Sequence, residues 1–370
     1  MKVKLGEYIQ EYSVRNKANE DIPVYSVTNT QGFCQDYFGK EVASKDKSTY
    51  KIVPRGYFAY NPSRINVGSV DWQRDEDQVI VSPLYNVFSV SPELNQQYLY
   101  YYLKSDFALH RIKAAATGSV RDNLKLEMLK NFPIRIPRVE EQEYIVQVLD
   151  KAKNIINLRR NELQKLDDLI KARFVEMFGD PVSNPYKLPM VFLGELSELI
   201  TKGASPSWQG FNYTDDPSQT LFLTSENVKN GYIDLSSPKY IEDKFNTKQK
   251  RSIVHKGDFL INIVGASIGR AAQFNLNCKA NMNQAAALVR INDNRIRDKY
   301  LLTYLNSDKA QLMYNSMKSD TGRANLSLKD ISELSILLPS IEEQLIFEKF
   351  VSQIDKSKYN YSSSSLFLGI

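Results

Sequence analysis

Gly265-Ala266-Ser267-Ile268-Gly269 has the G-x-S-x-G spacing of a nucleophile elbow and follows the strand-like run FLINIV. In hydrolases built that way the catalytic histidine follows the serine in the chain. The only two histidines, His110 and His255, both precede Ser267, so the segment reads as a tight glycine turn after a strand. A methyltransferase would carry a glycine-rich loop and an Asn-Pro-Pro-aromatic strip. NPSR (61–64) and NPYK (184–187) both lack the second proline, and there is no G-x-G-x-x-G. No G-x-x-x-x-G-K-[ST] phosphate loop exists, which argues against ATP binding. The acidic EEQ triplets at 140–142 and 342–344 place adjacent carboxylates that point apart on a helix, and they suit a helix first turn. Cys34 and Cys278 stand far apart with no C-x-x-C, so reduced thiols are expected and no metal site. No catalytic residue is assigned.

What remains is basic and aromatic residues interleaved with polar loops. In the first half these are Lys45, Lys47, Lys51, Arg55, Asn61, Arg64, Asn66, Arg74 and Arg121. In the second they are Lys202, Ser205, Trp208, Lys248, Lys250, Arg251, Arg270, Asn283, Gln284 and Arg323. Arginine can read guanine, and the amides of Asn and Gln can read adenine. The net charge of +5 is mild, but its partition is informative. Residues 1–139 and 181–341 each carry 19 basic and 15 acidic side chains, while 140–180 and 342–370 are slightly acidic. Two basic bodies suit a polyanion touched in two regions.

The elements that must position these residues come in two copies. YLYYYLKSD (98–106) reappears as YLLTYLNSD (300–308), and NLKLEMLKNFPIRIPRVEEQ (123–142) as NLSLKDISELSILLPSIEEQ (325–344). The ends of each half align while the first third drifts. Each half reads as short strands rich in Val, Ile, Tyr and Phe, then a helix (94–112 and 296–317), then a small helix and a strand, an α+β domain. Beyond each EEQ an apolar seam follows a 4-3-4-3 spacing: Ile145, Leu149, Ala152, Ile156, Leu163, Leu166, Ile170 and Met177, with Arg159 and Arg173 also on it. From 140 to 177 such a helix is about 57 Å long, and Gly179-Asp180-Pro181 stops it. The second copy keeps Phe347, Val351 and Ile354 but puts Lys358 on the seam, so a shortened distal helix is expected. The expected organisation is a first domain over 1–139, a helical spacer over 140–180, a second domain over 181–341, and a distal helix with tail over 342–370. With 370 residues, 42% hydrophobic and 25% charged, the composition is that of a globular protein. The absence of a secretory h-region and of a 20-residue apolar run leads to an expected cytoplasmic location, with no membrane contact.

YSVTNTQGF (25–33), FAYNPSRINVGSV (58–70), the paired YLxxYLxSD segments, IRIPRVEEQ (134–142), FVEMFGDPVSNP (174–185), INIVGASIGR (261–270) and NMNQAAALVRI (281–291) together resemble the specificity subunit of a Type I restriction–modification system, along essentially the whole chain. The resemblance implies two similar target-recognition domains joined by long helices that form an antiparallel coiled coil. It implies a chain that is itself non-catalytic, reads a bipartite asymmetric site in double-stranded DNA, and docks two methyltransferase subunits, with motor and nuclease subunits in some systems. S-adenosylmethionine and ATP would then be bound by those partners, with no cofactor on this chain. The incomplete distal seam adds self-association through the helices as a further expectation. Two other classes compete: a single-chain DNA-modifying enzyme, disfavoured by the missing cofactor motifs, and a non-catalytic bridging coiled-coil protein, disfavoured by the charge partition. Binding of S-adenosylmethionine by the purified chain separates the first from the family reading.

Overall fold

The computed structural model describes residues 2–35, 46–116, 123–317 and 325–366. The chain divides into two units, Met1–Leu158 and Arg159–Ile370. The division falls inside the long helix, so each half of the expected spacer belongs to one of the units.

Both units are built on the same four-stranded antiparallel sheet. In the first its order is Ile9–Glu11, Asn86–Val90, Phe58–Tyr60, Val70–Trp72. In the second it is Ser197–Lys202, Ala286–Ile291, Phe259–Asn262, Ala271–Gln273. The helix expected at 94–112 is two helices, Gln96–Lys104 and Asp106–Ala116. Its counterpart is likewise Asp298–Leu305 and Asp308–Ser316. The breaks fall at Ser105 and Ser307, whose hydroxyls accept from the amides of Ala108 and Ala310. Serine in the Ser-Asp pair thus caps a new helix rather than ending an old one.

The tyrosines of the repeated segment lock the same joint twice. Tyr98 and Tyr102 donate to the carbonyls of Arg135 and Pro133, both at 2.8 Å. Tyr300 and Tyr304 donate to those of Leu337 and Ser335, at 2.9 and 2.7 Å. The strands that accept these bonds, Pro133–Arg135 and Ser335–Leu337, pair with the first strand of their own unit, Lys2–Lys4 or Met190–Phe192. Burial raises the Tyr304 hydroxyl pKa to about 12, which keeps it a donor.

The units differ in their second layer. The first has two two-stranded sheets, Ser26–Thr28 with Gly32–Cys34 and Lys51–Pro54 with Gln78–Val81. The second has a four-stranded sheet in which Thr220–Leu223 runs parallel to Ala280–Met282. All four residues of Thr220–Leu223 are buried, as parallel pairing favours. This layer is where the two sequences share little.

The long helix runs Val139–Phe178, 40 residues. It ends at Gly179, whose φ of +74° carries the left-handed turn and whose absent Cβ leaves room for the Pro185 ring. The terminal helix is Ile341–Leu366, 26 residues, and within the second unit it packs antiparallel to the end of the long one. Phe347 meets Phe174 and Phe178 at ring separations of 5.6 and 5.5 Å. Further along, the Arg173 guanidinium lies over Phe350, and Lys358 pairs with Asp167. Lys358 therefore does not end the helix; the seam turns from apolar to ionic there. The buried knobs on the long helix are Phe174 and Phe178, one position off the expected line through Ile170, Arg173 and Met177, which is only half-buried. Leu163 and Leu166 are half-buried too, as are Ile145, Ala152 and Ile354, whereas Leu149 and Ile156 are exposed. The two seam arginines bond within their own helix, Arg159 to Glu162 at 2.7 Å and Arg173 to Glu176 at 2.8 Å.

Candidate nucleic-acid interface

In both units the third sheet strand, as ordered above, runs into a loop with the same construction. Phe58–Tyr60 leads through a 3-10 turn, Ile65–Val67, to Gly68 at φ +90° and the next strand. Phe259–Asn262 leads through Gly265–Ser267 to Gly269 at φ +86°. The amides of Asn61 and Asn262 close the two loops on the carbonyls of Ser69 and Arg270, at 3.3 and 2.9 Å. Arg64 leads into the 3-10 turn in the first unit, and Arg270 closes the loop in the second. Both are exposed, and neither forms an ion pair among the described residues.

Around this loop the second unit gathers most of its expected residues. Gly203 donates to the Asn283 carbonyl at 3.3 Å, and a Cβ on Gly203 would collide with the Met282 carbonyl oxygen. Ile263 donates to the Ala285 carbonyl at 3.0 Å. Lys202, Arg270, Asn283 and Gln284 therefore lie at one end of the sheet. From Ser205 the chain continues to Trp208, and Lys248 holds this stretch by donating to the Gln209 carbonyl at 3.1 Å. The helix Lys244–Lys248 and the turn after it present Lys248, Lys250 and Arg251. Lys202, Lys250 and Arg251 are exposed and, among the described residues, have no acidic partner.

Two asparagines not picked out from the sequence hold this end together. Asn281 is fully buried. Its amide donates to Asn246 Oδ1 at 2.8 Å and to the Gln249 carbonyl, and its oxygen accepts from Ser252 Oγ. It thereby pins the Lys248–Arg251 segment to the sheet. Asn262, also fully buried, donates to the Ser225 carbonyl at 2.9 Å and to Ser267 Oγ at 3.1 Å. Ser267 thus serves the turn, while His255 lies at the far end of the preceding strand. That far end is held instead by Arg290 and Asp258, paired at 2.7 Å, which pushes the Arg290 pKa above its ordinary value.

In the first unit more of the expected cations are engaged. Arg55 pairs with Asp77 at 3.1 Å and donates to the Asp75 carbonyl. Lys47 pairs with Asp21 at 3.5 Å. Arg74 pairs with Asp71 at 2.9 Å and stacks 4.3 Å over Trp72. Lys51 donates to the Tyr85 carbonyl at 2.7 Å, and burial lowers its pKa. Asn61 and Asn66 are half-buried in the loop itself. Lys104, passed over in the sequence, supports that loop by donating to the carbonyls of Gly68 and, at 3.0 Å, Asn29. Lys45, Arg121 and Arg323 lie outside the described residues. Among the described residues no group of three His, Cys, Asp or Glu is placed to hold a metal, and no helix is long and apolar enough to cross a membrane.

A family model described as the Type I restriction modification DNA specificity domain matches the chain twice, over residues 2–168 and 187–361. The chain is 23% identical over 344 residues to the Type I restriction enzyme EcoBI specificity subunit of Escherichia coli, covering 85% of this chain and 72% of that one. It is 22% identical over 278 residues to the StySPI specificity subunit of Salmonella potsdam, covering 70% and 58%. Its fold is similar, at a TM-score of 0.55 and 20% identity, to a chain solved in a study of complex assembly and conformational transition of the type I R-M system, with 100% of this chain and 94% of that chain covered.

Proposed function

This chain belongs to the family of DNA specificity subunits of Type I restriction–modification systems, and from that premise we propose that its two units each read one half of a bipartite, asymmetric DNA target. The observation that carries the proposal is the loop at Asn61–Ser69 and Asn262–Arg270. The same backbone bond closes it in both units, yet its arginine sits before the 3-10 turn in the first and at the closing position in the second, and the neighbouring layer is differently built. A shared frame with different reading surfaces gives two different half-sites. Phosphate contacts from the free lysines and arginines supply most of the affinity, and base-edge contacts the discrimination.

The chain itself does no chemistry in this proposal. Methyltransferase subunits dock on its helices and carry S-adenosylmethionine, and a motor subunit, where present, carries ATP. The long helix offers a surface for docking: Tyr144, Val148, Ile155 and Leu158 are all exposed apolar side chains. The test is to map methylated adenines in the host genome with and without this gene, then with residues 190–341 replaced by those of a relative. One half of the methylated sequence should change and the other persist. Joint change of both halves defeats the proposal, as does binding or turnover of S-adenosylmethionine by the chain alone.

A further inference from the structure

We infer that Trp208 stacks on a base within the half-site read by the second unit, an inference that rests on the DNA-reading function proposed above. Trp208 is 88% exposed, more than any other large apolar side chain of the described residues. An indole so placed contributes almost nothing to the core. The turn beneath it is nevertheless firmly built. Gln209 and Phe211 both donate to the Pro206 carbonyl, at 2.9 and 3.0 Å, and Gly210 takes the left-handed conformation that closes the turn. Phe211 packs edge-on against buried Phe245 at 5.4 Å, and Lys248 bonds the Gln209 carbonyl. The indole is held out from the surface on a fixed support.

The surroundings select the kind of surface it meets. Its chain neighbours are Ser205, Ser207, Gln209 and Asn212, and the tied segment beside it carries Lys248, Lys250 and Arg251. A protein-binding hot spot groups aromatics in an apolar, charge-depleted patch. An exposed ring on a turn tied to a cation-bearing segment suits a base face opened by wedging at a base step, with phosphates beside it. Among its described residues the first unit has no exposed tryptophan. The stretch after its equivalent strand, Tyr12–Asn16, lacks tryptophan, and Trp72 is half-buried, donates to Gln97 at 3.1 Å and lies under Arg74. Stacking by tryptophan is therefore inferred for the second unit's half-site.

The chain has two tryptophans, so Trp72→Phe leaves Trp208 as the sole emitter. The full-length variant is titrated with duplexes carrying the mapped target, and binding is followed separately by the anisotropy of a dye on the DNA. Trp208 emission should be quenched saturably with the same midpoint as the anisotropy. Scrambling the second unit's half-site should remove the quench, while scrambling the other should leave it at saturation. Trp208→Ala should weaken binding about five- to a hundredfold, with Trp208→Phe close to wild type. If Trp72→Phe does not fold, the difference in emission between wild type and Trp208→Phe reports the same event. DNA binding with unchanged emission and an unmoved midpoint in Trp208→Ala overturns the inference and leaves DNA reading intact. Emission that changes on adding methyltransferase subunits without DNA assigns the indole to a protein interface and also overturns it. If no duplex binds, the DNA-reading proposal fails first and this one with it.

Discussion

Gln142 and Gln344 close the two EEQ triplets, and each is fully buried. Gln142 accepts from the Asn95 amide and donates to the carbonyls of Glu93 and Pro137, each at 2.8 Å. Gln344 repeats the arrangement with the Arg297 amide and the carbonyls of Arg295 and Pro339. Removing either amide strands backbone groups that water does not reach. Gln344→Ala should therefore destabilise by about 1–3 kcal/mol, against less than about 0.5 kcal/mol for Glu342→Gln on the exposed face. Urea midpoints of the two variants check the difference. At the reading loops, Arg64→Ala and Arg270→Ala should each weaken DNA binding. If an arginine reads guanine, about 1–3 kcal/mol of discrimination disappears at one base pair only. A panel of singly substituted duplexes measures it, and a loss equal across the panel reassigns that arginine to a phosphate.

At the scale of elements, the terminal helix is held by burial rather than by charge. Phe347 is fully buried against Phe174 and Phe178, and truncating such a ring costs about 3–5 kcal/mol. The Lys358–Asp167 pair is a quarter to a half exposed, a setting in which an ion pair contributes about 0–1 kcal/mol. Phe347→Ala should release the terminal helix to early proteolysis, while Asp167→Asn should leave it docked. The long helix makes a separate prediction. Val148, Ile155 and Leu158 are about half-exposed or more, so changing all three to Ser should leave the urea midpoint near wild type. The same change should weaken co-purification with methyltransferase subunits, and full retention of them would place docking elsewhere. Leu163, Leu166 and Ile170 are poorer probes, because Ile170 packs on the core of the second unit and all three are half-buried.

For the molecule as a whole, salt dependence reports how many phosphates are met. Each neutralised phosphate contributes about −0.9 to the slope of log K against log salt, so six contacts across the two units give a slope near about −5. Of the exposed candidate cations without an acidic partner among the described residues, Arg64 belongs to the first unit and Lys202, Lys250, Arg251 and Arg270 to the second. Changing Lys250 and Arg251 together to Ala should flatten the slope by about 2. Arg55→Ala should change it little, because Asp77 and two carbonyls already engage that guanidinium. Titration of one duplex at several salt concentrations separates the two outcomes.

What the sequence determined by itself was whatever depends on local period and on repetition. The Gly179-Asp180-Pro181 stop and the apolar spacing before it were enough to place a helix over 140–177, and Val139–Phe178 is helical. Identical tyrosines at the same offset imposed the same joint on both units, because equal side chains on equal backbones find equal partners. What only the tertiary structure decided was pairing across long stretches of chain. Asn262 finds Ser225 37 residues away, Gln142 finds Glu93 at 49, and Lys358 finds Asp167 at 191. No local period encodes such partners, since a buried polar group bonds with whatever the packing of distant segments brings beside it. The same physics sorted the candidate cations. Arg74 and Arg270 are alike in sequence as arginines near a strand end, but the fold sets buried Asp71 beside Arg74 and gives Arg270 no acidic partner among the described residues.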